Sequence, residues 1–394
     1  MDGDVPSELS QRMVALRRAL HAEPELSGEE ARSADRIAGA LRALGLSPRT
    51  GVGGHGVVLD LPAVGGSRGP AVALRADMDA LPITEETGLA FASRRSGVMH
   101  ACGHDGHASL LVGAAGLLAR QPGLSPVRLL WQPAEETVEG ALAMIEGGVL
   151  EGAGMIFGGH LDRHYPPGEI AISEGAVNAS TDTFHIRIEG EGGHGGRPHE
   201  ALDAVVVGSL LVTALQTIVS REINPAHPSV VSVGRFVAGS APNVIAGSAE
   251  LSGTIRSHEA AVREHLCRSI ERIGRAVGEL HAARVEVTIA RGTPAVVNTP
   301  EMAELARGAA RAVVGARGVV ELATPNMGGE DFAHFLQHVP GCYVRIGGQV
   351  PGRESYPAHS SRFDFDERAL PIGAAFMAEL ARRAGQRLRE EAAS

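Results

Sequence analysis

The chain has 394 residues, 44% hydrophobic, 21% charged and 3% aromatic, with a formal net charge of −10. That length sets an expectation of two or three domains, its ordinary composition excludes wholesale disorder, and its acidic balance argues against general nucleic-acid binding. All 36 basic residues are arginine, which removes chemistries that need a lysine amine: Schiff bases, the phosphate-binding P-loop and Ser–Lys hydrolases.

In chain order, Met1-Asp2-Gly3-Asp4 is acidic and leads into a polar helix pattern, unlike a signal peptide. Ser27-Gly28-Glu29-Glu30 has the form of a capping box before a helix carrying Ile37, Leu41 and Leu44, with Gly45 placed to stop it. Val57–Leu61 and Ala71–Leu74 read as strands, His107–Arg120 as a helix and Val127–Trp131 as a strand. Val138–Glu146 follows as a helix and Met155–Phe157 as a strand, while Gly65-Gly66-Ser67 looks like a loop tip. Such alternation predicts an α/β domain, a central mixed sheet flanked by helices.

From about Asn178 to Arg291 the pattern changes. Thr181–Ile188, Val230–Val237, Ser248–Arg256 and Val285–Ile289 read as strands, with helices at Ala201–Ser220 and Glu259–Leu280. The order β-α-β-β-α-β predicts an inserted ferredoxin-like α+β lid. A polar stripe of Ser209, Thr213, Gln216, Thr217 and Ser220 makes the apolar stretch from Ala204 a packed helix and argues against a membrane span. The α/β style then returns, with a helix at Pro300–Val314, a strand at Tyr343–Ile346 and a helix from Glu367. The expected division is therefore a catalytic domain over 1–177 and 292–394, with the lid over 178–291. Cys102, Cys267 and Cys342 are too few and too scattered for a disulfide framework, which sets an expectation of a reducing, cytoplasmic location.

Polar residues gather where apolar strands end. Ala71–Leu74 runs into Arg75-Ala76-Asp77-Met78-Asp79, Val127–Trp131 into Gln132-Pro133-Ala134-Glu135-Glu136, and Met155–Phe157 into Gly158-Gly159-His160. Open α/β sheets bind ligands outside the carboxyl ends of their strands, so these sets can converge. Between the first two lies His100-Ala101-Cys102-Gly103-His104-Asp105-Gly106-His107, rich in the donor types that hold zinc or manganese. Taken singly, each feature has a plainer reading. A lone His160 or His359 is more often structural, adjacent glutamates are commonly a solvated pair, and His107 orients its helix. Cys267 and Cys342 read as core residues.

Taken together, the motifs resemble a family. Arg75–Pro82, His100–His107, Gln132–Glu136, Gly192–His199, Pro242–Ile245, Gly328–Phe332 and His359–Asp364 follow one another as in the N-acyl-amino-acid amidohydrolases. These form the hippurate hydrolase and auxin-conjugate hydrolase branch of the aminoacylase and carboxypeptidase G superfamily. The resemblance spans nearly the whole chain. It implies two divalent metal ions per subunit, zinc or manganese, held by Cys102, His104, Glu136, His160 and His359. It further implies Glu135 as catalytic base, Asp79 as the carboxylate supporting a ligand, and a homodimer formed through the lid. In such a dimer His194 reaches the partner's site to stabilise an oxyanion, while Asn243 and Arg256 hold the substrate carboxylate. Two departures stand out: Ala246 replaces a common proline, and Leu161-Asp162-Arg163-His164-Tyr165 is charged where the family is usually apolar or aromatic. Two other readings share the same residues. One is a dipeptidase or carboxypeptidase on the same scaffold. The other is a metal-bound binding module without turnover, which predicts loss of the base or a ligand, yet all six residues are present.

Overall fold

The computed structural model describes residues 5–66, 69–352 and 356–393. Met1–Asp4, and Ser67 of the expected loop tip, lie outside the described residues. The chain divides into two compact units, one formed by 1–175, 297–324 and 331–394, the other by 176–296 and 325–330.

The first unit is built on an eight-stranded mixed sheet. At its centre four parallel strands lie side by side in the order Val127–Gln132, Ala71–Asp77, Ala153–Asp162 and Gly341–Gly347. Antiparallel neighbours extend the sheet at Gly56–Leu61 and Ile170–Ala171. The central strands are longer than their apolar runs suggest. Ala71–Asp77 is buried throughout, including Arg75 and Asp77, and Ala153–Asp162 carries His160 within the strand and not in the loop beyond it. Helix His104–Arg120 is buried almost all round, starts three residues before its expected position, and packs against helices Ser7–Ala22 and Ala369–Ala393. Arg17 is buried among these elements, where Asp105 (3.0 Å), Asp364 (2.8 Å) and Glu367 (3.1 Å) accept from its guanidinium.

The expected capping box is not one. Helix Ala31–Ala43 has no side-chain bond from its N-cap. Glu25 caps it instead, accepting from the Ser33 backbone N–H at 2.7 Å and the Ser33 hydroxyl at 2.9 Å. Ser27 and Glu30 point elsewhere, because acceptors closer to the strand ends compete for them. The expected helix at Val138–Glu146 starts only at Gly140, since Val138 adopts a left-handed φ of 65° that a helix cannot contain.

The second unit is a four-stranded antiparallel sheet in the order Ser229–Ala238, Ser248–Ser257, Ser180–Glu189 and Arg284–Arg291. Helices Ala204–Thr217 and Ala260–His281 complete the β-α-β-β-α-β sequence. Phe184, Ile186, Ile188, Leu251 and Ile255 pack with Leu211, Leu215, Leu266 and Ile270 in one core. Asp203 starts the first helix by accepting from Val205 N–H at 2.9 Å. The segment Ala204–Glu222 is long and apolar enough to cross a membrane. Its Ser209, Thr213 and Gln216 side chains, however, bond back to carbonyls four residues earlier, and Leu211 and Leu215 are fully buried against the sheet. The segment Pro325–Glu330 also belongs to this unit, where Asn326 C=O accepts from Ala179 N–H, a pairing invisible to local periodicity.

Candidate metal centre and active site

At the carboxyl ends of the central strands, the donors converge from four directions. Gly103, at a φ of +92°, turns the chain so that His104 opens its helix beside Cys102. Strand Ala153–Asp162 delivers His160, whose Nε2 lies 3.3 Å from Cys102 Sγ. The turn after strand Val127–Gln132 brings Glu135 Oε2 and Glu136 Oε1 each to 3.9 Å from His104 Nε2. His359, in a loop with a left-handed φ of 67°, places Nε2 at 3.4 Å from Glu136 Oε1. Three overlapping groups result: Cys102–His104–His160, Cys102–Glu136–His359 and His104–Glu135–Glu136, each with donor atoms within 4.8 Å of one another.

Their surroundings fix which atoms are available. Asp79 is fully buried and its Oδ1 accepts from His104 Nδ1 at 3.0 Å, leaving His104 Nε2 to face the cluster. Its other oxygen accepts from Ser27 Oγ (2.7 Å) and from the Glu136 backbone N–H (3.0 Å). His160 Nδ1 donates to the Leu161 carbonyl at 2.6 Å, so its Nε2 is the lone-pair nitrogen. Burial, reinforced by His107 and Arg345, holds His160 well below the usual imidazole range and therefore neutral. Burial also pushes the Cys102 thiol up. His359 is raised by its contact with Glu136. Glu136 Oε1 is buried and makes no hydrogen bond. A buried carboxylate oxygen met only by the long 3.4 Å approach of His359 Nε2, and ringed by a thiol and imidazoles, is the arrangement a divalent cation satisfies.

His107 lies against this cluster but is not free to ligate. Its Nδ1 donates to Asp77 Oδ1 at 2.6 Å and its Nε2 accepts from Leu161 N–H at 2.9 Å, so it orients the strand beside His160. Burial alone would raise the Asp77 carboxyl, yet His104, His107 and Arg75 hold it well below the carboxylate range. Residues that local reading missed stand behind it. Arg75 donates to Asp77 (2.7 Å), Gln132 (2.8 Å) and Asp331 (2.7 Å), all buried. The available signal was that Arg75, Gln132 and Asp331 each fall within one of the family-like motifs, with nothing local to pair them. Cys267 and Cys342 are buried core thiols, as expected, and burial raises Cys267 to about 11.

The remaining expected site residues lie in the second unit. His194 is exposed in the short strand Gly193–His194, which pairs with Val244–Ile245, and Asn243 C=O accepts from Gly195 N–H at 2.8 Å. His194 and Asn243 thus share one small sheet edge. Ala246, the proline replacement, accepts from Ala204 N–H at 3.0 Å and so ties this edge to a helix start. Arg256 sits on strand Ser248–Ser257 between buried Ile255 and Ser257, on the sheet face opposite the helices. Among the described residues it has no ion pair; Glu259, its obvious local partner, bonds to His227 instead. Burial lowers its pKa, with no acid to offset that.

Donors of this kind at the strand ends of an α/β sheet define a metallohydrolase-type centre. Residues 73–383 match the peptidase family M20/M25/M40. The chain is 42% identical over 368 residues to a Synechocystis protein named probable hydrolase sll0100, covering 93% of each chain. It is 38% identical over 354 residues to an N-acyl-L-amino acid amidohydrolase of Geobacillus stearothermophilus, covering 89% of this chain and 95% of that one. The crystal structure of YxeP from Bacillus subtilis, described as a dinuclear metal binding peptidase, superimposes with a TM-score of 0.85 at 33% identity, covering 96% of this chain and 99% of that one. The chain belongs to peptidase family M20/M25/M40, a family of hydrolases.

Replacing Cys102 by Ser is expected to lower the divalent metal bound per chain, because a hydroxyl is a poor substitute for a thiolate. Elemental analysis after metal loading and desalting checks this. Unchanged metal content would remove Cys102 from the ligand set.

Proposed function

We propose that the chain is a dinuclear metal-dependent amidohydrolase that cleaves N-acyl amino acids to a carboxylic acid and a free amino acid. The observation that carries this reading is the division of labour between adjacent glutamates. Glu136 turns a buried oxygen, met only by the long contact from His359, toward the thiol–imidazole cluster, while Glu135 stands beside the same His104 nitrogen. The name of the Geobacillus relative and the dinuclear character of YxeP support it.

Two zinc- or manganese-type ions, held by Cys102, His104, Glu136, His160 and His359, would polarise the scissile carbonyl and acidify the attacking water toward neutral pH. Glu135 takes the proton from that water and passes it to the leaving amine nitrogen. Asp79 keeps His104 in the tautomer that presents Nε2. His194 donates to the developing oxyanion. Asn243 and Arg256 hold the free carboxylate of the amino acid, and an arginine fork is the natural clamp in a chain without lysine.

The same reading makes the enzyme a cytoplasmic homodimer assembled through the second unit, with His194 serving the partner's site. Supporting this, the edge strand Ser229–Ala238 exposes Phe236 and Val237, and helix Ala204–Thr217 exposes Val205, Val206 and Leu210. An apolar edge strand of this kind is normally covered.

Three experiments test the proposal. Glu135→Gln should keep metal and fold but lose about 10²- to 10⁴-fold in kcat, the usual range for a general base. Near-normal turnover in the metal-loaded variant would reject Glu135 as base. Arg256→Ala should cost about ten- to a hundredfold in kcat/KM on an acyl amino acid, corresponding to about 1.5–3 kcal/mol for a charge-assisted contact. On the amide analogue lacking the carboxylate it should cost little, and equal losses on both would assign Arg256 to the fold. Finally, mixing inactive His194→Ala and Glu135→Gln subunits should restore activity, since one site of each heterodimer has both groups. Verified subunit exchange without recovery would place the whole site in one chain.

A further inference from the structure

Ser27-Gly28-Glu29-Glu30 carries the pattern of a helix cap, yet the helix it precedes is capped by Glu25. The side chains so released reach the catalytic turn. Glu30 is fully buried, and its Oε1 accepts from the backbone N–H of Ala134 at 2.8 Å and of Gly28 at 2.9 Å. Ser27 Oγ donates to Asp79 at 2.7 Å, and Asp79 in turn accepts from Glu136 N–H.

Ala134 needs such a hold. Its φ of 53° is disfavoured for any residue with a Cβ, and it directly precedes Glu135 and Glu136. The turn closes on it, with Gly140 N–H donating to Ala134 C=O at 3.1 Å. Gly140 itself is so close that a Cβ there would lie 1.6 Å from Pro133 C=O. Glu30 has no ion pair among the described residues, and its second oxygen is buried without a hydrogen-bond partner. A buried carboxylate without a counter-charge is a poor device for stabilising a fold. What it does provide is a fixed acceptor for one peptide N–H, at the residue where the chain must turn left-handed.

We infer that Glu30 is a positioning residue: its carboxylate clamps the Ala134 turn and thereby sets where Glu135 points, while the Glu136 backbone is held separately by Asp79. The inference rests on the proposed role of Glu135 as base.

The test compares Glu30→Ala and Glu30→Gln, alone and combined with Glu135→Gln, in the full-length metal-loaded enzyme. Turnover is expressed per bound metal, and melting is recorded alongside. Glu30→Ala should lose about ten- to a hundredfold in kcat with KM within about threefold. Glu30→Gln keeps an accepting oxygen and should stay within about threefold of the parent. In the Glu135→Gln background, Glu30→Ala should cost less than about twofold more, because it acts through the group already removed. A parent-like kcat in Glu30→Ala, or a loss that multiplies undiminished with Glu135→Gln, would overturn the inference. Should Glu30→Ala fold poorly, Glu30→Asp, whose oxygen is one methylene short of the Ala134 N–H, decides by amide exchange over 130–140 and turnover together. Faster exchange with a fall in kcat upholds the clamp, and faster exchange with full turnover, or parent-like exchange with kcat lost, rejects it. A failure of the Glu135 reading itself would appear separately, as high kcat in Glu135→Gln alone.

Discussion

The centre depends on one buried cation. Arg75, wholly inside the protein, donates to Asp77, Gln132 and Asp331, and Asp331 also accepts from the Gln132 amide at 2.7 Å and from Ala141 N–H at 3.0 Å. A guanidinium in a low-dielectric interior is tolerable only when its donors are all met in good geometry, and this one spends them on three different elements. Strand Ala71–Asp77, strand Val127–Gln132 and the segment entering helix Phe332–Leu336 are thereby fixed at the level where the donors emerge. Breaking any member would leave an unpaired charge behind, so the arrangement is locked as a unit.

From that lock the orientation of the ligands follows stepwise. Asp77, held by Arg75, holds His107, and His107 receives the Leu161 amide, one residue beyond His160. Asp79, two residues farther along the chain, holds His104 and the amide of Glu136. Two carboxylates from one strand end thus orient two imidazoles, of which His107 has both nitrogens engaged and cannot compete for a cation, while His104 keeps Nε2 toward the cluster. Selection among His104, His107 and His160 is a matter of which nitrogens are already engaged.

This explains what the sequence made legible. Metal-donor types at strand ends are a local signal, and so a donor-rich convergence around 100–107, Glu135-Glu136 and His160 was readable together with the strands that bring it, whereas the choice of ligands among them came only from the family resemblance. The alternating strands and two amphipathic helices of 176–296 were readable for the same reason, since each element's period is written in its own residues. What was not readable depends on long-range competition. Ser27 and Glu30 satisfy the local grammar of a helix cap, but Asp79 and the Ala134 amide, 52 and 104 residues away, win them. Strand ends were short by several residues because Arg75, Asp77 and His160 are polar, and only their buried partners make extended backbone affordable there. Asp331 gave no local sign that Gln132, 199 residues earlier, was its partner.

The absence of lysine gives these choices a common logic. Among the described residues, the buried carboxylates of the first unit are met by arginine, histidine, the Gln132 amide, hydroxyls or peptide N–H groups. Where the partner is Arg75 or Arg17, the acids serve the scaffold: Asp331, Asp105, Asp364 and Glu367. Asp77 stands between the two sets, held by Arg75 on one side and by His107 on the other, and nearer the donor cluster the partners are different. Asp79 is met by a histidine, a serine hydroxyl and a peptide N–H, and Glu30 by two peptide N–H groups. A guanidinium at either place would add a fixed positive charge beside the cluster, repelling a divalent ion and competing for Glu136. Histidine, hydroxyl and peptide donors orient the same carboxylates without a guanidinium beside the cluster. The left-handed residues serve the same placement: Ala134 and His359 bend the backbone where Glu135, Glu136 and the His359 imidazole are brought to the cluster.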